Sequence, residues 1–179
     1  MKDAIIVIDM VNDFVTGKFK NPNAQKTIPY FKDLLKLAHL HNIPVIYVSD
    51  AHLPQDPELK IWGEHCMQET WGAEIIPELT PQKQDYSLQK RTYCAFFETG
   101  LDSLLRELNV DNIILTGVVT NICIINSAAA AFFNGYNIII PKETTAATED
   151  ALCNSSLDYM HANYNAKVIS INELKKKWY

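Results

Sequence analysis

Short, uninterrupted apolar runs rich in β-branched residues recur along this chain, and longer stretches with helical spacing of apolar residues separate them. A strand that is apolar at every position has to be covered on both faces, as in parallel sheets between helices. The alternation therefore predicts an α/β fold, doubly wound, with a mostly parallel sheet and helices on both faces. Predicted strands are residues 4–8, 45–48, 87–90, 113–115, 137–140 and 167–170, and predicted helices are 28–41, 101–108, 123–133 and 149–164.

Length and composition narrow the classes of function. The 179 residues, 47% of them hydrophobic, predict a single domain over residues 1–179. A formal net charge of −5 argues against a nucleic-acid partner. No apolar run approaches the roughly 18 residues of a membrane span, and the first strand lacks a secretory cleavage pattern. We therefore expect a cytoplasmic protein with reduced cysteines, no membrane partner and assembly into a homo-oligomer.

Polar residues follow the predicted strands at the carboxyl edge of the sheet, where ligands bind in such folds. Asp9 follows the first strand, Asp50 and His52 the second, and Lys90 ends the weak third. The fourth strand leads into residues 117–123 (GVVTNIC), which end in Cys123. One edge thus carries a carboxylate, a lysine, a thiol and a cluster resembling a metal site.

Cys123 lies where a strand turns into a predicted helix, with Asn121 as a candidate cap. Free N–H groups at a helix N-terminus stabilise a thiolate and a developing oxyanion. The alternative is a buried cysteine that packs as a small hydrophobe, which is the interpretation kept for Cys66, Cys94 and Cys153. Asp9 is either a loop cap or a base, and Lys90 is either a solvated cation or an inward partner for Asp9 and the thiol.

Asp50, His52 and His65 offer carboxylate and imidazole ligands, with Asp56 and Glu58 between the two histidines. Two histidines and a carboxylate suit Zn²⁺, Mn²⁺ or Fe²⁺ with positions open for water or substrate. The alternative is a pair of surface-loop histidines among ordinary acids.

Six segments together resemble the isochorismatase-like cysteine hydrolase superfamily, which includes nicotinamidases and N-carbamoylsarcosine amidases. The resemblance spans nearly the whole chain. Its segments are residues 6–14 (IVIDMVNDF), 49–52 (SDAH), 62–66 (WGEHC), 72–74 (GAE), 90–102 (KRTYCAFFETGLD) and 117–123 (GVVTNIC). Asn121 departs from the acid that many nicotinamidases carry before the nucleophile.

The resemblance implies roles for individual residues. It implies a catalytic triad of Asp9, Lys90 and Cys123, a cis peptide between Val118 and Val119, and an oxyanion hole formed by the N–H groups of Val119 and Cys123. It implies further a ring pocket lined by Phe14 and Trp62, and a divalent metal, zinc first, on Asp50, His52 and His65 with Glu58 as a fourth ligand.

The resulting hypothesis is hydrolysis of the C–N bond of a small carboxamide through a thioester, with nicotinamide as the best single substrate. N-carbamoylsarcosine or another ureido acid is the alternative within the class. Vinyl ether hydrolysis of isochorismate is disfavoured, because members with that chemistry lack the cysteine. A non-catalytic binding module on the same fold is the alternative from another class.

Overall fold

The computed structural model describes residues 1–178, which form one parallel sheet between two layers of helices. The strands are β1 Asp3–Ile8, β2 Val45–Asp50, β3 Tyr86–Lys90, β4 Asn112–Val118, β5 Asn137–Pro141, β6 Thr145–Ala146 and β7 Lys167–Ile169. The helices are α1 Asn12–Val15, α2 Pro22–Leu40, α3 Leu59–Trp62, α4 Leu101–Glu107, α5 Ile125–Phe133, α6 Asp150–Tyr164 and α7 Ile171–Trp178.

The strand order is β3-β2-β1-β4-β5-β7, with β6 paired to the end of β4, and each pairing is parallel. The predicted doubly wound α/β fold is therefore confirmed. Among the described residues no helix is both long and apolar enough to cross a bilayer.

Alternation along β1 divides the core into two layers. Ala4, Ile6 and Ile8 pack with residues of α4, α5 and α6, whereas Ile5 and Val7 pack with residues of α2 and α7. All five side chains are at most 1% exposed. Successive side chains of a strand point to opposite faces, so an unbroken apolar run is what a strand covered on both sides requires.

Helix α2 begins six residues before its predicted start at residue 28. Asn21 caps the helix, because its side chain accepts hydrogen bonds from the N–H groups of Asn23 and Ala24, and Pro22 occupies the first helical position. Proline is favoured there because its missing N–H would have no partner within the helix. The Asn-Pro pair was a start signal that the apolar periodicity alone did not show.

Three further segments differ from the prediction. Residues 120–124 form a wide π-helical turn, so α5 starts at Ile125 and not at Cys123. The short strand β6 and the helix α7 were not predicted at all. The connection from β2 to β3 holds α3 and two short 3₁₀ turns, Trp71–Ala73 and Pro77–Leu79, and it carries three of the predicted metal ligands.

Helix α7 is attached to the sheet through the carboxylate of Asp3. This carboxylate accepts hydrogen bonds from Lys177 Nζ at 2.6 and 2.8 Å, from Trp178 Nε1 at 2.8 Å and from Asn112 Nδ2 at 2.7 Å. Burial raises the pKa of Asp3, but the bonds from Lys177, Trp178 and Asn112 outweigh burial and leave it below its ordinary value of 3.8. A lowered carboxyl pKa means that the stabilisation is present above that value and is lost as pH falls further.

We expect Asp3→Asn to lower the free energy of unfolding by about 2 kcal/mol at pH 7, because it removes a charged acceptor of several buried bonds. Chemical denaturation measures the change. Asp33→Asn is the matched control. The Asp33 side chain on α2 is 67% exposed, and its carboxylate lies 3.6 Å from the ammonium of Lys175 on α7. It should change stability by less than about 0.5 kcal/mol. Equal losses in the two variants would contradict this role of Asp3.

Candidate functional site

Four adjacent strand ends bring the predicted triad together at the carboxyl edge of the sheet. Asp9 follows β1 directly, Asp50 and Lys90 are the last residues of β2 and β3 and face each other in register, and Cys123 lies in the turn after β4. All four residues are buried, with at most 4% of each exposed. Strand order alone accounts for the convergence, because β3, β2, β1 and β4 are consecutive neighbours.

The Lys90 ammonium lies between two carboxylates. Its Nζ is 2.8 Å from Asp9 Oδ2 and 2.6 Å from Asp50 Oδ1. It also lies 3.0 Å from the carbonyl oxygen of Thr92 and 4.0 Å from the Cys123 Sγ. The backbone N–H of Asp50 donates to Asp9 Oδ1 at 2.8 Å, which fixes the second oxygen of that carboxylate.

Burial and mutual charge set the protonation of these groups. Burial alone would lower the pKa of Lys90, but the carboxylates of Asp50 and Asp9 outweigh it and raise that pKa well above its ordinary value. Burial and the charge of Asp50 raise the pKa of Asp9 to about 6, even though Lys90 opposes them. Asp9 is thus an ionised carboxylate at neutral pH with a higher proton affinity than an exposed aspartate.

The raised pKa of Cys123 favours the thiol form, and Cys123 does not occupy the α-helix N-terminus where free N–H groups were expected to stabilise a thiolate. Burial raises its pKa well above the ordinary value; Lys90 acts in the opposite direction, but the charge of Asp9 adds to the increase. The turn that carries Cys123 is π-helical, and α5 begins only after it. A carboxylate oxygen of Asp9 lies within 4.8 Å of the Cys123 sulfur, so the thiol proton lies near a base of raised pKa.

The chain enters this turn through an unusual backbone. The peptide bond between Val118 and Val119 is cis, and Gly117 has a φ of +119°. A side chain at Gly117 would place its Cβ 1.9 Å from the carbonyl oxygen of Ile8. Only glycine therefore lets β4 approach the end of β1 closely enough to bring the turn beside Asp9.

A cavity of about 280 Å³ opens above Cys123. Val119 and Cys123 line it, as do Phe14 and Trp62, the two residues predicted for a ring pocket. This volume is at the small end of ligand pockets, which run from roughly 300 to 1,000 Å³. The lining residues, in full, are Phe14, Phe19, Asn21, Asp50, Glu58, Trp62, His65, Tyr93, Val119, Asn121, Ile122, Cys123, Thr148 and Leu152, and no lysine or arginine is among them.

Aromatic side chains that the sequence did not single out complete the wall of this cavity. Phe19 stacks on Phe14 with ring centroids 5.4 Å apart and meets the His65 ring edge-on at 5.1 Å. Tyr93 accepts a hydrogen bond of 2.9 Å from the indole N–H of Trp62. Tyr93 belongs to the segment that begins at Lys90 and could have been proposed from it, whereas Thr148 and Leu152 carried no chemical signal.

Asn121 does not cap a helix, contrary to the sequence-based expectation. Val119 holds the cap position of the turn, and the Asn121 side chain faces the cavity. Its Oδ1 is buried and has no hydrogen-bond partner among the described residues. The lining of the cavity thus includes a residue, two positions before Cys123, whose amide oxygen is buried and unpaired.

The four predicted metal ligands, Asp50, His52, Glu58 and His65, also come together. One donor atom from each lies within 4.8 Å of the others, and all four residues are buried. His52 Nε2 is 3.6 Å from Asp50 Oδ2 and 3.8 Å from Glu58 Oε2, and it has no hydrogen-bond partner. Ligands about 2.0–2.2 Å from a tetrahedral zinc ion lie about 3.3–3.6 Å apart, so the two separations from His52 Nε2 are at and slightly above the spacing of a tetrahedral zinc site, and the donor types are those that zinc takes.

Electrostatics favour a cation at the same place. Burial and the charge of Asp50 raise the pKa of Glu58 to about 7. Lys90 pairs with both Asp50 and Asp9. Glu58, the other carboxylate among the four ligands, has no lysine or arginine partner among the described residues and lies 3.8 Å from the His52 imidazole. A divalent ion would relieve this crowding of buried negative charge.

The other cysteines and Asp56 lie outside this arrangement. Cys66, Cys94 and Cys153 are free thiols that do not line the cavity. Asp56 lies between the two histidines in sequence but is not among the four grouped ligands. Its Oδ2 instead lies 3.1 Å from Nδ1 of His52, the ring nitrogen opposite the one that faces the ligand group.

Comparison with known proteins agrees with this geometry. Residues 3–173 match the model of the isochorismatase domain. The uncharacterised isochorismatase family protein YaaI of Bacillus subtilis is 34% identical over 149 residues, which are 82% of this chain and 82% of that protein.

Two solved structures share the whole fold. N-carbamoylsarcosine amidase from Thermoplasma acidophilum is 37% identical, with a TM-score of 0.92 over 96% of this chain and 98% of that one. Nicotinamidase PncA from Bacillus subtilis is 26% identical, with a TM-score of 0.89 over 95% of this chain and 100% of that one. With a matching domain model over nearly its whole length, this chain belongs to the isochorismatase family of hydrolases.

Proposed function

We propose that this chain is a cysteine amidohydrolase that cleaves the C–N bond of a small neutral carboxamide, with nicotinamide as substrate and nicotinate and ammonia as products. The observation that carries the proposal is a buried thiol in the lining of a small aromatic cavity, within 4.8 Å of a carboxylate oxygen of Asp9, whose pKa is raised, and 4.0 Å from a buried ammonium. Similarity to a nicotinamidase and to an N-carbamoylsarcosine amidase supports amide chemistry.

The reaction begins with the thiol proton. Asp9 takes this proton from Cys123, and the Sγ forms a bond to the carbonyl carbon of the substrate. The N–H groups of Val119 and Cys123 stabilise the resulting oxyanion. Asp9 then gives the proton to the leaving nitrogen, the C–N bond breaks and ammonia departs, and water hydrolyses the thioester to the carboxylic acid.

Lys90 makes this proton transfer feasible. A thiolate in a buried site is costly, and the ammonium 4.0 Å from Sγ offsets much of that cost as the charge forms. When the proton moves from Cys123 to Asp9, negative charge moves from one neighbour of Lys90 to another. The net charge around the ammonium stays constant through the step.

Asp50, His52, Glu58 and His65 are proposed to hold one divalent ion, with zinc preferred for this mixed nitrogen and oxygen donor set and manganese or iron as the alternatives. When bound, such an ion supplies a Lewis acid at the cavity wall, which lowers the pKa of water or accepts a ring nitrogen. Asp50 and His65 line the cavity, so these two ligands would hold the ion at the cavity wall.

The substrate class follows from what lines the cavity. Phe14, Phe19 and Trp62 offer faces on which a flat ring stacks. With no lysine or arginine in the wall, a substrate carboxylate would have no side-chain cation to pair with. Both features favour an uncharged aromatic carboxamide over a ureido acid.

A ureide is the second candidate, and Asn121 supports it. The buried, unpaired Oδ1 of this residue matches the additional N–H donor of a ureido group. The 37% identity to N-carbamoylsarcosine amidase also favours this candidate. The absence of a lysine or arginine from the cavity lining ranks the ureide below nicotinamide.

Two substitutions separate the role of Lys90 in balancing the charges of Asp9 and Asp50 from the role of Cys123 as the nucleophile. Lys90→Met leaves two buried carboxylates without their ammonium, so we expect a loss of about 3–5 kcal/mol in the free energy of unfolding as well as loss of turnover. Cys123→Ala keeps the ammonium and both carboxylates, so it should abolish turnover while unfolding changes by less than about 1 kcal/mol. Denaturant titration and an ammonia assay measure both. Turnover retained by Cys123→Ala would exclude the covalent mechanism and require another catalytic chemistry.

Metal content is the second prediction. Protein purified without a histidine tag should contain close to one transition-metal ion per chain by elemental analysis. His52→Ala removes one of four ligands, so the ion should be largely lost. His161→Ala is the matched control, because His161 lies on α6 away from the ligand group. A metal-free wild-type protein would refute the metal site.

Substrate preference is the third prediction. On one metal-replete preparation, kcat/KM for nicotinamide should exceed that for benzamide by at least about tenfold, which is roughly 1.4 kcal/mol of extra transition-state binding. N-carbamoylsarcosine should be slower than nicotinamide, because no lysine or arginine lines the cavity to pair with its carboxylate. If N-carbamoylsarcosine is the fastest of the three, or nicotinamide is not hydrolysed, the ureide candidate replaces nicotinamide.

A further inference from the structure

A second layer of charge lies behind the four grouped ligands. Arg91 contacts both oxygens of the buried Asp56 carboxylate: Nε donates to Oδ2 at 3.2 Å and to Oδ1 at 3.0 Å, and Nη2 donates to Oδ1. The Arg91 side chain is 47% exposed, so the guanidinium covers Asp56 from the solvent side. The N–H of Leu53 also donates to Asp56 at 2.9 Å, which fixes the carboxylate to the loop after β2.

Asp56 faces the ring nitrogen of His52 that points away from the other ligands. Its Oδ2 is 3.1 Å from His52 Nδ1. An ionised carboxylate only accepts hydrogen bonds, so Nδ1 carries the proton and donates it to Asp56. In the neutral ring that a metal ion requires, the lone pair is then on Nε2, the buried nitrogen that faces Asp50 and Glu58 and has no hydrogen-bond partner among the described residues.

Arg91 takes this place because it follows Lys90 directly. Neighbouring residues at the end of an extended strand point to opposite sides. Lys90 reaches Asp9 and Asp50, and Arg91 reaches Asp56. One strand end thus supplies a cation to the carboxylates beside the thiol and another to the carboxylate behind the imidazole.

We propose that Arg91 and Asp56 are a positioning pair for divalent-metal binding, which hold His52 in the tautomer and ring orientation that a metal ion requires. The planar guanidinium fixes the carboxylate through two parallel contacts, a geometry that a lysine ammonium cannot reproduce. Partners of this kind behind a metal-binding histidine typically change metal affinity by about 10- to 100-fold. The inference rests on the metal part of the proposed function and not on the identity of the substrate.

The experiment measures the affinity of the full, tag-free chain for Zn²⁺ by competition with a chromophoric chelator. Arg91→Ala and Asp56→Asn should each raise the zinc Kd by about tenfold or more, and Arg91→Lys should lie between wild type and Arg91→Ala. The double variant should bind no more weakly than Asp56→Asn alone, because the arginine acts only through that carboxylate.

A matched control is available on α4. Arg106 is 55% exposed and pairs with Asp102 at 3.3 Å, far in sequence from the ligand group. Arg106→Ala should leave the zinc Kd unchanged. The thermal midpoint of each metal-free variant is measured in parallel, so that any loss of stability when the buried Asp56 carboxylate loses its guanidinium partner is separated from the change in zinc affinity.

Three results would overturn the inference. The first is a wild-type zinc Kd in Arg91→Ala, and the second is full rescue by Arg91→Lys, which would reduce the role to a point charge. The third is wild-type protein that binds no zinc, which would remove the metal site itself. Ammonia release from nicotinamide by the same wild-type preparation shows independently whether the amidohydrolase proposal stands.

Discussion

The buried ammonium of Lys90 is the interaction on which the candidate site depends. Two carboxylates at adjacent strand ends, both nearly excluded from water, would repel each other strongly at neutral pH. Lys90 lies within 2.8 Å of both and lets them stay close. That compactness allows Asp9 to reach the thiol while Asp50 faces the imidazole of His52.

Asp50 connects the two halves of the site, because its two oxygens face different partners. Oδ1 contacts Lys90, and Oδ2 lies 3.6 Å from the Nε2 of His52. A change in charge on either side therefore alters the field on the other. In the proposed enzyme, metal occupancy and the proton affinity of Asp9 are linked in both directions, since such coupling is reciprocal.

Much of this site was predictable because the chemistry lies where strands end. Asp9, Lys90 and Cys123 could be placed at one edge from the unbroken apolar runs and their polar termini, and the family resemblance added Glu58, Phe14 and Trp62. The state of Cys123 could not be predicted, because its pKa depends on burial and on charges contributed by three separate strands. Asn121 was misassigned since the π-helical turn, invisible to helical periodicity, rotates its side chain into the cavity.

Alternation at the end of β3 directs two adjacent cations to different carboxylates. Lys90 contacts Asp9 and Asp50, and Arg91 contacts Asp56. A strand that shifts by one residue exchanges its two faces. Deletion of a single residue between residues 86 and 90 would place a guanidinium where the ammonium belongs and disrupt both groups at once. A change of length in the connection between His65 and β3 lies outside this strand and would not by itself exchange the two cations.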